Sequence, residues 1–209
     1  MEAKTAEGER KMKKLLAVCL TALVCWVCAG YAEETRVGDT VIFGQYEQDG
    51  NLDNGSEPIA WQVLDVQGGK ALLSRYALDC LPFHDEKTDA AWNQSALNAW
   101  LQADFHAAFT DAEWAAIAPV TLADTAADGN PEWQNTDAEP AETRVFLLSY
   151  AQVMQYLPEQ EQRKVSGTEY ARSRGAKFLG FTTIGIGETD WWLRSPGKES
   201  YDACFLDVR

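Results

Sequence analysis

A thiol beside an imidazole is the first nucleophilic chemistry that this sequence offers. Cys80 lies four residues before His84, and Asp85 follows directly. An imidazole can take the proton of a thiol, and a carboxylate can orient the imidazole. No local signature of a known enzyme surrounds these residues, so they equally fit a loop without a catalytic role. His106, the other histidine, lies beside an apolar helical stripe and is interpreted as structural.

Carboxylates are plentiful, because the chain has 32 Asp and Glu residues. Two of them could form a glycosidase pair, but no spacing selects one pair. The sequence lacks a nucleophile elbow, a phosphate loop, a His-Glu-x-x-His motif and a Cys-x-x-Cys motif. Nothing in it therefore identifies an activity, and we predict neither catalytic residues nor a cofactor.

The alternation of Asp49, Asn51 and Asp53 imitates a calcium-binding loop. In such a loop a glycine stands at the sixth position and a bidentate glutamate at the twelfth. Here the glycine comes one place late, at Gly55, and Ala60 stands at the twelfth position. We interpret the segment as a hairpin turn and predict no metal site.

Aromatic side chains offer binding chemistry, since many modules hold sugar rings by stacking on them. Trp133 lies alone in an acidic segment, and Trp191 and Trp192 are adjacent on a predicted strand. Adjacent strand residues point to opposite faces, so one ring belongs to the core. The other, on the same face as Arg194, is either a binding platform or a stacked Trp–Arg pair. The predicted ligand-binding residues are Trp133, Trp191, Trp192 and Arg194.

A structural role for Arg194 is the alternative to binding. The residue lies within an aromatic strand and next to a tight turn. We expect its guanidinium to be stacked and paired with a carboxylate, for which Asp202 and Asp207 are the candidates. On this interpretation Arg194 contributes more to stability than to any binding.

The first part of the chain reads as three strands. Residues 40–46 are β-rich and apolar, and Ile59, Trp61 and Val63 repeat with period two. A third apolar run follows at residues 71–76. Turn residues separate these runs, which predicts an antiparallel meander.

The middle of the chain reads as helical. An apolar stripe predicts a helix from about Ser95. Capping boxes starting at Thr110 and at Ser149 predict two more helices, and a similar pattern from Ser166 predicts a short fourth helix ended by Gly175. Residues 124–142, rich in acid and proline, are predicted to form a long surface loop.

Strands are predicted again in the last third of the chain. We expect a buried strand at residues 145–148 and strands at 190–194 and 201–208. The element order predicts an α+β fold in which helices flank a mainly antiparallel sheet. The run 201–208 is apolar on both faces, as in a central strand, and a central strand needs two neighbours. We therefore expect the chain to be truncated at its C-terminus, unless residues 40–46 close the sheet.

The N-terminus carries the pattern of a secretory signal peptide. Lys13 and Lys14 precede an apolar run, and small residues at Gly30 and Ala32 suit a signal peptidase. Residues 1–32 are predicted to be the signal, with residues 1–11 upstream of a true start at Met12. Residues 33–209 then form a single α+β domain that is secreted or on the cell surface.

Net charge limits the partners of this domain. The chain carries a formal charge of −14 at pH 7. So acidic a protein repels phosphate backbones and anionic lipid, which makes nucleic acid and, after signal cleavage, membranes poor partners.

Three of the five cysteines lie in the signal, which leaves Cys80 and Cys204. Two cysteines in an exported domain can form one disulfide, and we predict a bridge between them. Buried free thiols are the alternative.

Several phrases in fixed order resemble an uncharacterised bacterial family, the domain of unknown function numbered six-two-seven-three, found in exported proteins of gut Firmicutes. The likeness covers nearly all of the mature chain and implies no activity. The phrases are Phe43-Gly-Gln-Tyr46, Glu57-Pro-Ile-Ala-Trp61, Val63-Leu-Asp65, Leu72-Leu-Ser74, Leu78-Asp79, Trp92 with Ser95, Trp100-Leu101, Phe146-Leu-Leu-Ser149 and Trp191-Trp-Leu-Arg-Ser-Pro-Gly197.

A looser likeness links the paired tryptophans and the next strand to C-type-lectin-like domains, including the sulfatase-modifying branch. That likeness implies a compact α+β fold with a ligand-binding loop region. The lectin calcium motifs are present only as Glu139-Pro-Ala141 and Trp92-Asn-Gln94, and paired catalytic cysteines are absent from the sequence.

Three functions remain open on the sequence alone. The first is an exported, non-enzymatic binding module for a glycan or a cell-surface partner. The second is a hydrolase-like enzyme with a site of loop carboxylates and the Cys80–His84 region. The third is a structural or adhesion domain.

Overall fold

The computed structural model describes residues 34–67, 69–86, 91–122, 128–131, 139–182, 185–198 and 203–207. From Val37 onward they belong to one compact unit. The predicted signal peptide lies outside the described residues. Among the described residues no helix is long and apolar enough to cross a membrane.

The predicted meander is confirmed. Strands β1 (Thr40–Tyr46), β2 (Glu57–Asp65) and β3 (Ala71–Ser74) form an antiparallel sheet in the order β1-β2-β3. A register shift between Ile42 and Gln45 bends β1 at Gly44.

The predicted helices are present and short. They are α1 (Ala96–Gln102), α2 (Asp111–Ala116), α3 (Tyr150–Tyr156) and α4 (Glu169–Ser173). Ser95 caps α1, and the capping boxes at Thr110 and Ser149 are both formed. Such side chains satisfy amides that a helix leaves unpaired at its start. Short 3₁₀ turns lie at Trp92–Gln94, Phe105–Ala108 and Gln160–Arg163.

The remaining strands form several small sheets rather than the single sheet that we expected. They are β4 (Tyr76–Ala77), β5 (Val120–Leu122), β6 (Ala141–Thr143), β7 (Val165–Gly167), β8 (Phe178–Thr182), β9 (Gly185–Thr189), β10 (Trp191–Pro196) and β11 (Ala203–Leu206). One sheet has the order β4-β7-β9-β8, another pairs β5 with β6, and a third pairs β10 with β11. All described pairs are antiparallel except β4 with β7. The α+β class is confirmed.

Two local predictions were wrong. Residues 145–148 are irregular, although the Leu148 carbonyl accepts a hydrogen bond from the Arg194 amide of β10 at 3.0 Å. The strand of that region is β6, just upstream. The fourth helix begins after Thr168, whose side chain accepts from the Ala171 amide, because Ser166 is already used in the β7 ladder.

The core has two clusters on either side of β10. The first packs β2 and α1 around Ile59, Leu97 and Leu101, and Trp192 packs against it. The second packs α3 and the last strands around Val153, Leu157 and Leu193, and Trp191 packs against it. The period-two alternation of β10 sends its two tryptophans to opposite faces, as predicted, but both pack against core clusters, whereas the sequence analysis placed only one of them in the core.

Strand β11 pairs with β10 along one edge. In the described part of the chain its other edge has no strand partner. Cys204 of β11 is buried, whereas Phe205 is 47% exposed. The expected truncation stays a prediction.

Candidate functional site

A mostly buried carboxylate is the centre of a polar cluster that joins three segments of the chain. Asp79 follows β4, and its side chain is 9% exposed. It accepts a hydrogen bond of 2.5 Å from the Tyr46 hydroxyl and one of 2.7 Å from the Cys80 amide. Arg174, just after α4, places its Nε 3.3 Å from Asp79 Oδ1. These contacts join β1, the segment after β4 and the end of α4 at one point.

Aromatic rings surround this cluster. The Tyr46 ring meets the Trp100 ring edge-on at a centroid distance of 6.4 Å and the Tyr170 ring at 5.8 Å. Phe105 closes the buried side of Tyr46 at 5.2 Å. Tyr46, Trp100 and Tyr170 are only half-buried. Together with Asp79 and Arg174 they form what we call the Tyr46 site.

Backbone hydrogen bonds fix the elements that carry the site. The Tyr170 amide donates to the Gln48 carbonyl at 3.0 Å, which holds α4 against the loop after β1. The Thr168 amide donates to the Ala77 carbonyl at 3.1 Å, and its hydroxyl donates to the Leu78 carbonyl at 3.3 Å. The ionic and aromatic groups are therefore presented on a preformed frame.

The electrostatics of the site favour protonated side chains. Burial, and then the hydrogen bond to Asp79, raises the pKa of Tyr46 far above its usual range. Burial, and then the Asp79 charge, also raises the pKa of the Cys80 thiol. At neutral pH Tyr46 is a hydrogen-bond donor and Cys80 is not a thiolate nucleophile.

Replacing Tyr46 with phenylalanine is expected to lower the free energy of unfolding by about 1.5 kcal/mol at pH 7, because a hydrogen bond to a charged group is lost. Urea unfolding measures the change. The exposed Tyr76 supplies the control, since Tyr76→Phe should change it by less than about 0.5 kcal/mol. The folded state holds the Tyr46 proton more tightly than the unfolded state, so the advantage of the wild type should persist below pH 10.0 and decline above it. If Tyr46→Phe and Tyr76→Phe have the same free energy of unfolding at pH 7, the Tyr46 hydroxyl does not stabilise the fold in this way.

The structure separates the two tryptophans that were predicted to bind ligand. The Trp191 indole donates to the Arg163 carbonyl at 3.0 Å, and the Trp192 indole donates to the Leu81 carbonyl at 3.0 Å. They pack on different core clusters. Trp191 and Trp192 therefore do not line one common groove.

Arg194 is 4% exposed, so it is not a surface platform. Its guanidinium donates to the Leu147 carbonyl at 3.0 Å and to the Gln152 side-chain oxygen. It lies over the Phe146 ring, 5.9 Å from the centroid. That Arg194 contributes more to stability than to binding stays a prediction.

Trp133 lies outside the described residues, as does Asp202, one of the two carboxylates proposed for Arg194. The described parts of the predicted acidic loop, residues 124–142, are hydrogen-bonded to other elements of the fold. Ser195, fully buried, donates to the Asp128 carbonyl at 2.9 Å, and Asn93 donates to the Glu139 carbonyl at 3.1 Å.

The predicted disulfide is not formed. Cys80 and Cys204 are both free. Cys204 is buried in the second cluster, where burial raises its pKa to about 11, while Cys80 lies beside Asp79.

His84 accepts a hydrogen bond from the Ala96 amide at 3.1 Å and so supports the start of α1. His106 stacks on Trp114 at 4.4 Å, in keeping with a structural role.

Three carboxylates of the β1–β2 connection are close enough to share a cation. Glu47, Asp49 and Glu57 each place one oxygen within 4.8 Å of the other two. Oxygen ligands of this kind suit Ca²⁺ or Mg²⁺. All three also accept backbone amide hydrogen bonds within the connection. Those bonds account for the arrangement as a tight hairpin loop, which is the interpretation made from the sequence.

Residues 67–209 match the family described as Domain of unknown function (DUF6273). This chain belongs to the DUF6273 family. The match begins at Gln67, so the phrases around Tyr46 and Trp61 lie before it. No curated protein and no solved structure matches the chain, so the looser likeness to C-type-lectin-like domains gains no support.

The Tyr46 site was missed by the sequence analysis, although Tyr46, Asp79 and Trp100 all occur in the phrases that pointed to DUF6273. Those phrases are far apart in the chain, and only the fold brings them together. Tyr170 and Arg174 carried no sequence signal beyond a short helix.

Proposed function

We propose that this DUF6273 domain is an exported, non-enzymatic binding module and that it holds glycan at the Tyr46 site. The observation that carries the proposal is the Asp79–Arg174 pair set among the half-buried rings of Tyr46, Trp100 and Tyr170. A sugar has hydroxyl groups that both donate and accept hydrogen bonds, and an apolar ring face. A carboxylate, a guanidinium and aromatic rings complement both features.

The protonated side chains of Tyr46 and Cys80 favour a binding function over a catalytic one. The pKa of Tyr46 and that of Cys80 are raised, so neither group supplies an anionic nucleophile at neutral pH. A hydrolase built on the Cys80–His84 region is also disfavoured, because His84 accepts from the Ala96 amide. The order of charged, apolar and small residues in 12–32 supports export.

Two arginines make a matched test of this site. Arg174 and Arg172 both have side chains 47% exposed, and each pairs with a carboxylate, Asp79 and Glu169 respectively. On a glycan array, the secreted protein is expected to bind a defined set of glycans. Arg174→Ala should weaken that binding at least about tenfold, equivalent to roughly 1.4 kcal/mol, whereas Arg172→Ala should not.

Three results would contradict the proposal. They are an absence of glycan binding by the wild type, equal losses in the two arginine variants, and a loss on Trp133→Ala that Arg174→Ala does not share. The last result would move the binding site to the acidic loop.

A further inference from the structure

A pocket lies where the 3₁₀ turn after α3 faces the end of β11. Its cavity volume is ≈ 180 Å³. It does not include the residues of the Tyr46 site. The lining residues are Gln160, Arg163, Lys164, Leu206 and Asp207.

The Arg163 and Leu206 walls of this pocket are held in place. The Arg163 guanidinium donates to the Leu157 carbonyl at 2.7 Å and to the Pro158 carbonyl at 2.6 Å. The Arg163 carbonyl accepts from the Trp191 indole at 3.0 Å, and Trp191 pairs across the sheet with Leu206. A ligand would therefore meet an Arg163 side chain that the fold has already ordered.

The charges around the pocket select against a simple ion. Lys164 lies 2.8 Å from Glu161 and 3.9 Å from Glu188, and Asp207 adds a further carboxylate. An anion would compete with these carboxylates, and a cation would meet Arg163 and Lys164. The lining offers cationic hydrogen-bond donors, a carboxylate acceptor, an amide and one apolar contact, Leu206.

We propose that this pocket binds one neutral sugar ring. Each ring hydroxyl donates and accepts, so it can bridge an amide or carboxylate to a cationic donor. The cavity is smaller than the roughly 300–1,000 Å³ of drug-sized sites, which limits the ligand to about one ring. This binding is independent of the Tyr46 site and holds whether or not that site takes glycan.

Saturation-transfer NMR and titration with glucose, galactose and mannose test the proposal, with glucuronate as an anionic probe and glycine as a zwitterionic probe. At least one neutral hexose is expected to bind saturably. Gln160→Ala and Asp207→Ala should each weaken it at least fivefold, and both side chains are exposed, so the fold should persist. Gln155→Ala, an exposed glutamine of α3 outside the lining, is the matched control and should bind as the wild type does.

Arg174→Ala should leave this hexose binding unchanged, which separates the pocket from the Tyr46 site. The proposal is overturned if no neutral hexose binds saturably, or if only glucuronate or glycine binds. It is also overturned if Gln160→Ala and Asp207→Ala bind the hexose like Gln155→Ala.

Discussion

Replacing Arg194 with alanine is expected to lower the free energy of unfolding by about 3–5 kcal/mol, because buried hydrogen bonds are lost and a cavity is left. The side chain is 4% exposed and donates to the Leu147 carbonyl and to Gln152. Gln152 is also part of the capping box that starts α3. Truncation removes the contact with Phe146, leaves buried acceptors unpaired and opens a cavity beside Phe146, which packs against the first core cluster.

Urea unfolding of Arg194→Ala measures this loss, and two further variants identify its cause. Arg194→Lys keeps the charge but lacks the planar fork of donors, so it should recover only part of the stability. Arg172→Ala removes an exposed arginine and should cost no more than about 1 kcal/mol. An unchanged melting temperature for Arg194→Ala would contradict the structural role of this residue.

Replacing Gly44 with alanine is expected to destabilise the protein by about 2–5 kcal/mol. Gly44 has φ = +73° at the bend of β1, a conformation that costs other residues about 1–2 kcal/mol. A Cβ there would lie 2.7 Å from the Phe109 ring and 2.9 Å from the Ala108 carbonyl. The ring belongs to the first core cluster, so relieving this overlap adds about 1–3 kcal/mol.

Gly55→Ala separates the two contributions. Gly55 has φ = +88°, and a Cβ there would meet no atom within 4 Å. This variant should show the backbone strain alone, about 1–2 kcal/mol. If the two glycine variants unfold at the same urea concentration, close packing at Gly44 does not limit stability.

Local features of this fold were predictable from the sequence because their causes are local. The capping boxes at Thr110 and Ser149 each join residues three apart, and both are formed. The alternation at Trp191 and Trp192 follows from strand geometry alone. The fourth helix was placed too early because Ser166 fits a capping pattern, whereas its pairing in β7 depends on β4 and β9, which lie far away in the chain.

The Tyr46 site could not be predicted from the sequence, because its contacts join residues that are far apart in the chain. The Tyr46–Asp79 contact joins residues 33 apart, and the Asp79–Arg174 contact joins residues 95 apart. No periodicity or motif encodes such pairs. The composition drew attention to tryptophans instead, and it could not show that Trp191 and Trp192 each donate to a backbone carbonyl within the fold.

Ligand binding at the Tyr46 site can be mapped by NMR with the glycan that binds most tightly on the array. The protein is labelled with ¹⁵N, and the indole and amide signals are followed during titration. We expect saturable shifts of the Trp100 indole and of the Cys80 amide, which donates to Asp79. Shifts confined to Trp133, Trp191 or Trp192, with Trp100 and Cys80 unmoved, would contradict ligand binding at the Tyr46 site.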